Sequence, residues 1–406
     1  MSYDNQTKSY WSEAGIIEGQ TQPPQSDSDA ICVIGSGIVG VSTAYYLLKA
    51  GMKVTLIDFE TTRAASFRNA SHVLLGTVES YAALSALHGK DIAKQLWQLS
   101  IDVCQTLENL VKEHQMDVDY RQNGYLVMAV DETENQEIKE SIRLLNADGF
   151  DSSYVDANEL EKMGFRSVFG ARFEQGSAQV HPVKLRNAIL NQALQMGLSY
   201  HSGIQVESVE EVSGLVEIGV KKSADPLRFM SAVIATNAYS PLLSRYFDQR
   251  RLLEPFAGQI IVSEPLKEEI PISYPHSFDH GYEYAIKTDD NRLLIGGWRN
   301  NVEGQEIGSY DLKPREDVND GLKDFVARHY QIEEAIKWEY SWKGIMATSS
   351  TGFPFIGPTS SPLIYTCSGF TGHGMSWGCG SAKLLVDIMV GNKIPNVVRE
   401  QCTPKT

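Results

Sequence analysis

The chain has 406 residues, of which 42% are hydrophobic and 21% charged, and its formal net charge is -15 at pH 7. Such a composition suits a globular protein with more than one core, while the acidic balance leaves no cationic excess for a phosphate backbone and so excludes nucleic acid as an expected partner. No apolar run reaches the roughly 20 residues of a membrane span, and the start "MSYDNQTKSYWSEAG" lacks the basic and apolar segments of a secretory signal, so no membrane span and a cytoplasmic location are expected.

In chain order, residues 1–28 lack periodicity and end in the Pro/Ser/Asp-rich "GQTQPPQSDSD", which reads as a surface arm. Residues 29–58, "DAICVIGSGIVGVSTAYYLLKAGMKVTLID", then supply an apolar strand, glycines at 35, 37 and 40, an apolar helix stopped by Gly51, and a second strand ending in Asp58. This is a complete βαβ dinucleotide fingerprint. Gly35 serves the tight turn, Gly37 admits the backbone to a pyrophosphate, and Gly40 permits close helix–strand packing, while Asp58 can accept from both ribose hydroxyls. NAD and FAD fit this motif equally.

Further on, residues 85–111 have helical spacing, residues 124–130 form a buried strand, and "ENQEIKESIRLLNADGF" is an amphipathic helix. A helix over 183–196 precedes a strand, turn and strand in "LSYHSGIQVESVEEV". Residues 252–295 contain short strands with a hairpin turn at Asp289, Asp290 and Asn291, which points to antiparallel sheet. The C-terminal part is glycine-rich and ends in a helix over 380–390. The cysteines, Cys32, Cys104, Cys367, Cys379 and Cys402, have neither CxxC nor metal-site spacing and are expected as free thiols.

Several segments, taken in order, resemble the D-amino-acid-oxidase-like flavoprotein family, which includes glycine oxidase, sarcosine oxidase and gamma-glutamylputrescine oxidase: "AASFRNASH", "QVHPVKL", "VIATNAYS" and "GFTGHGM". With "SYW", "DNRLLIGG" and "SWKGIMATSSTGFPFIG", the likeness is greatest to the gamma-glutamylputrescine oxidase type. The resemblance selects FAD over NAD. It implies an α/β fold, a Rossmann-like FAD-binding domain (29–80, 165–245 and 340–395) interleaved with an antiparallel-sheet substrate domain (81–164 and 246–339). It assigns the cofactor to Gly35, Ser36, Gly37, Ile38, Gly40, Asp58 and Phe59, to Ser66, Arg68, Asn69 and His72, to Val206, Thr236 and Asn237, and to Gly372, His373, Gly374 and Met375. Arg68 is expected on the pyrophosphate.

The resemblance also implies the chemistry: hydride removal beside an amine nitrogen, giving an imine that water hydrolyses, without metal or nucleophile. The expected substrate is a small amine or amino acid and the expected acceptor O2. His72, Tyr284, Arg299 and Trp342 are the expected catalytic-site residues, with Tyr282 and Trp298 beside them; His181 and His373 read as structural or orienting. Relatives that oxidise small amino acids carry Arg or Lys where this chain has "GHGMSWG", with Ser376 in the place, so the usual α-carboxylate anchor is missing. Ile345 and Met346 stand where covalent relatives have Cys, so FAD is expected to be non-covalent. Leu294 stands where sarcosine oxidase has an oxygen-activating Lys, which keeps open a dehydrogenase using a quinone or protein acceptor. A non-catalytic flavin-bearing or NAD-bearing subunit is the reading from another class.

Overall fold

The computed structural model describes residues 7–404. Among them, strand Asp27–Ile34 lies inside an eight-stranded sheet, flanked in parallel by Lys53–Ile57 and Leu227–Ile234. Ser199–His201 and Ile364–Ser368 extend it in parallel on the two sides, and Phe355–Pro358 adds an antiparallel edge. The hairpin Val206–Val212 and Leu215–Val220 branches from Leu227–Ile234. Inner strands of such a sheet are covered on both faces, and the run Ala30–Ile34 is accordingly apolar and at most 3% exposed.

The second sheet also has eight strands among the described residues, in the order 338–349, 253–263, 293–297, 283–287, 276–278, 125–129, 170–174, 153–156. It is antiparallel except where His276–Phe278 runs parallel to Tyr125–Ala129. The expected hairpin is present, Glu283–Lys287 against Leu293–Gly297. Strands Gly170–Glu174 and Trp338–Ser349 hydrogen-bond into this sheet, although the expected boundaries place 165–245 and 340–395 in the other half. Likewise the helices Tyr81–His88 and Lys90–Glu113 pack into the core of the first sheet. Gly89, at φ +85°, separates these two helices where one was expected.

The arm does not lie loose on the surface. Residues Tyr10–Ala14 form a 3₁₀ turn, Trp11 is 5% exposed, and its indole N–H donates to the Asn69 carbonyl at 2.7 Å. An indole is too large and apolar to be left in water when a hydrogen-bonding pocket is near. Residues 1–6 of the expected arm lie outside the described residues. All five cysteines are free and buried. Among the described residues no helix is long and apolar enough to cross a membrane.

Alternation in Glu283–Lys287 sends Tyr284 to one face of the second sheet and Glu283 to the other, where Glu283 is 0% exposed. Burial first, then the Asp279 and Glu134 carboxylates, hold its pKa up at about 8 against the Trp298 N–H and Arg328. The unfolded chain loses this proton near the ordinary 4.5, whereas the native chain keeps it to about 8, so stability is lost as pH rises through that window. Glu283→Gln imitates the protonated form. The excess of its melting temperature over that of the wild type should therefore grow between pH 4.5 and 8 and then level off. A difference that stays constant with pH would show that Glu283 is not the titrating group.

Candidate functional site: two chambers with a common wall

The loop after the first strand is set by contacts that exclude side chains. Gly35 has φ +100°, and a Cβ on Gly40 would fall 1.7 Å from the Gly35 carbonyl oxygen. Gly40 therefore packs helix Ile38–Lys49 onto the strand and does not itself line the cavity. A Cβ on Gly37 would press on Ser66 Oγ at 3.0 Å, and that hydroxyl receives the Ile38 N–H at 2.8 Å.

A cavity of about 680 Å³ opens over this loop. Gly35, Ser36, Gly37, Ile38, Asp58, Phe59, Ser66, Asn69, Val206, Thr236, Asn237, Gly372, Gly374 and Met375 line it, as expected from the sequence. Two helices begin there, Ile38–Lys49 and Gly374–Met389, and neither has a side-chain cap. Their positive ends converge on one space, which suits an anionic ligand. Asp58 Oδ2 accepts from Ser36 Oγ at 2.7 Å and from Thr61 Oγ1 at 2.5 Å, leaving Oδ1 without a donor among the described residues. Ile204, Tyr239 and Leu242 add apolar wall. This donor set fits a dinucleotide: helix ends for phosphates, an open carboxylate oxygen for a ribose, apolar surface for a base.

A second cavity, of about 520 Å³, shares Ala65, Asn69, Met346, Gly372 and Met375 with the first. His72, Tyr282, Tyr284, Arg299, His373 and Ser376 line it, with Tyr125, Ser277, Arg172 and Glu174, which sequence reasoning missed. Tyr125 and Ser277 carry no signal beyond strand alternation, and the Arg172–Glu174 ion pair is buried on an inner strand whose neighbours only the sheet order defines.

His72 is walled in by Tyr125 and Tyr284, with ring centroids at 5.1 and 6.2 Å, and its Nε2 has no hydrogen-bond partner. Burial, with a smaller push from His276 and His373, lowers its pKa to about 3, so the imidazole is neutral at ordinary pH. His373 is also held below the usual histidine range by burial, and it stands just before helix Gly374–Met389. His181 accepts from the Lys184 N–H at the start of its helix and is structural. Arg299 lies over the Phe256 and Tyr282 rings at 4.8 and 5.0 Å, and no carboxylate pairs with it among the described residues. It is a cation lining the second chamber.

Four expectations are corrected. The Arg68 guanidinium donates to the carbonyls of Thr62 at 2.8 Å, Lys343 at 2.9 Å and Thr7 at 3.3 Å and lines the second cavity rather than the first, so it ties the scaffold and does not stand over the glycine loop where a pyrophosphate contact was expected. The arginine that lines the first cavity is Arg63, paired with Glu60 at 2.9 Å. Trp342 lines neither cavity: it is 0% exposed under Phe67 and Ala70, its indole donating to the Arg68 carbonyl at 3.1 Å. Trp298 also lines neither, packing over Gly321, where a Cβ would meet its Nε1 at 1.9 Å. Leu294 sits in the apolar cluster of Ile260, Val262 and Trp342, away from both cavities, so it says nothing about the electron acceptor.

Comparisons with known proteins agree with this geometry. The chain is 23% identical over 399 residues to the oxidoreductase OrdL of Haemophilus influenzae, covering 97% of this chain and 90% of that protein. It is 23% identical over 372 residues to gamma-glutamylputrescine oxidoreductase of Escherichia coli, covering 89% and 84%. Glycine oxidase from Bacillus cereus has the same fold, with a TM-score of 0.77 at 17% identity over 93% of this chain and 99% of that one. The model of the FAD dependent oxidoreductase family matches residues 30–388, so with the glycine loop, the open Asp58 oxygen and the paired chambers, the chain belongs to that family and takes FAD as its cofactor.

Proposed function

We propose that this protein oxidises the carbon–nitrogen bond of a small amine or amino acid, with O2 as the final electron acceptor. The observation that carries the reading is the common wall: one chamber fits a dinucleotide, and the other, reached across Ala65, Asn69, Met346, Gly372 and Met375, presents a neutral imidazole, two tyrosines and an arginine. In this reading the first sheet and its helices form the cofactor domain, and the second sheet the floor of the substrate domain. The gamma-glutamylputrescine oxidoreductase and glycine oxidase names of similar proteins support the substrate class.

FAD, when bound, would supply the two-electron acceptor for hydride removal from the carbon next to the amine nitrogen. The loop residues Gly35–Ile38 and Asp58 hold the dinucleotide end, and none of the five cysteines lines either cavity, which supports non-covalent binding. His72, kept neutral, lines the chamber without adding a positive charge beside the amine. Tyr125 and Tyr284 exclude water around it. Arg299 meets an acid group of the substrate, held by two ring faces in a position where a carboxylate gains from its charge. Water then hydrolyses the imine to a carbonyl and ammonia or a smaller amine.

Acid precipitation of purified protein should release all the yellow colour into the supernatant, and a coloured pellet would show a covalent link. Asp58→Ala should weaken FAD by roughly 1.5–3 kcal/mol, the usual worth of hydrogen bonds to a charged acceptor, measured by flavin fluorescence on dilution. Unchanged affinity would remove Asp58 from the ribose.

The missing α-carboxylate anchor and the place of Arg299 together favour extended amines whose acid group lies several bonds from the nitrogen. Stopped-flow flavin reduction under argon should be faster with such amines than with glycine, sarcosine or D-alanine, and Arg299→Ala should raise their saturation constant. Fastest reduction by glycine, sarcosine or D-alanine would overturn the preference; an unchanged saturation constant would release Arg299 alone. Reoxidation of the reduced flavin on admitting air tests the acceptor.

Because His72 stays neutral down to about pH 3, no limb near 6.5 should come from it. The rise of flavin reduction with pH should instead follow the ammonium pKa of whichever amine is used. A fixed midpoint near 6.5 across amines of different basicity would place a titrating histidine in the mechanism.

A further inference from the structure

Arg186 is a charged side chain that the chemistry above does not use, yet it is 0% exposed and lies directly behind the glycine loop. From helix Pro182–Gln195 its Nε donates to the Ser36 carbonyl at 2.9 Å and its Nη2 to Ser36 Oγ at 2.8 Å and Tyr200 Oη at 3.0 Å. Its Nη1 donates to Asn187 Oδ1 at 3.1 Å and to the Ile17 carbonyl at 3.4 Å. All five acceptors are neutral oxygens. The guanidinium also lies over the rings of Phe67 and Tyr200, at 5.5 and 5.6 Å. Among the described residues no carboxylate touches this buried cation directly; the nearest anion on the relay is Asp58, reached through the Ser36 hydroxyl, and a buried cation gains from any further anion placed near it.

Ser36 stands between Gly35 and Gly37, and its hydroxyl, while accepting from Arg186, donates to Asp58 Oδ2 at 2.7 Å. One guanidinium thus fixes both the peptide in the middle of the loop and, through a single hydroxyl, the carboxylate at the ribose end. We propose that Arg186 is a positioning residue for the dinucleotide: it presents the loop and Asp58 in register and supplies, from behind the loop and without touching the ligand, the positive charge that the diphosphate balances. The proposal rests on the assignment of FAD to this loop, which the yellow colour of the wild-type protein tests separately.

The fork and the charge can be separated. Arg186→Gln removes both, and Arg186→Lys keeps the charge while losing the two-pronged hold on Ser36. Each full-length protein is prepared with FAD, its FAD affinity read from flavin fluorescence on dilution, and the bound FAD then displaced with ADP or with adenosine. In Arg186→Gln the FAD dissociation constant should rise roughly ten- to a hundred-fold, as for loss of hydrogen bonds from a charged group, and the advantage of ADP over adenosine as a displacer should collapse. In Arg186→Lys that advantage should persist, within about threefold of wild type, since charge acts at a distance where hydrogen bonds do not. A packing role would lower melting temperature but leave the ADP-to-adenosine ratio unchanged in both variants. An unchanged ratio in Arg186→Gln, or a collapsed ratio in Arg186→Lys, would overturn the proposal, and the second result is readable even where the glutamine variant fails to fold.

Discussion

The arrangement of the two chambers depends on how Arg68 ties the segment after the second strand to the far sheet. Its guanidinium holds the Lys343 carbonyl, its own carbonyl receives the Trp342 indole, and Gly344 leaves out the Cβ that would press on that carbonyl at 2.9 Å. Side chain, backbone and an absent side chain together fix one crossing. Once it is fixed, Ala65 and Asn69 stand beside Met346, and the wall between the chambers exists. Backbone carbonyls are good partners for a buried guanidinium because its planar fork can satisfy several at once without a second charge. The contact is therefore a matter of shape, and lysine could not replace it.

How much of this was legible in the sequence follows from the reach of each signal. The glycine loop, its helix and Asp58 are local, and every step from Gly35 to Asp58 can be argued from neighbours in the chain. Tyr282 and Tyr284 were legible as a pair by alternation, though not the side they faced. Trp342 was misplaced for an instructive reason. It shares strand parity with Gly344 and Met346, which do reach the chambers, but residues 67 and 70 cover it, and parity cannot report what covers a face. Arg68 was misread because a cation near a phosphate site invites a phosphate. Its carbonyl partner at position 343 lies 275 residues away. Arg186, 150 residues from Ser36, gave no local sign at all.

The electrostatic character of the site follows the same division. Around the first cavity the favourable potential comes from backbone, in the form of two converging helix ends, with the buried charge of Arg186 behind the loop. The second chamber instead has charged and polar side chains on a sheet, where burial sets their state. His72 is kept neutral by the same apolar enclosure that keeps water from it. Glu283, one residue from Tyr284 and on the opposite face, is kept protonated by the same physics acting on an acid. Burial thus removes charge from a base and an acid on two different strands.

The strand order of the first sheet has a consequence for synthesis of the chain. Asp27–Ile34 emerges first, yet its neighbour Leu227–Ile234 follows only after about two hundred residues, a separation that slows closure of parallel sheets. Until then one edge of an apolar strand has no partner, and the second sheet cannot be completed before Trp338–Ser349 arrives. The nascent protein must therefore carry an apolar strand with one open edge while about two hundred further residues are made. For a chain built this way, yield in a heterologous host is set by the pace of the ribosome and the supply of chaperones as much as by the stability of the finished fold.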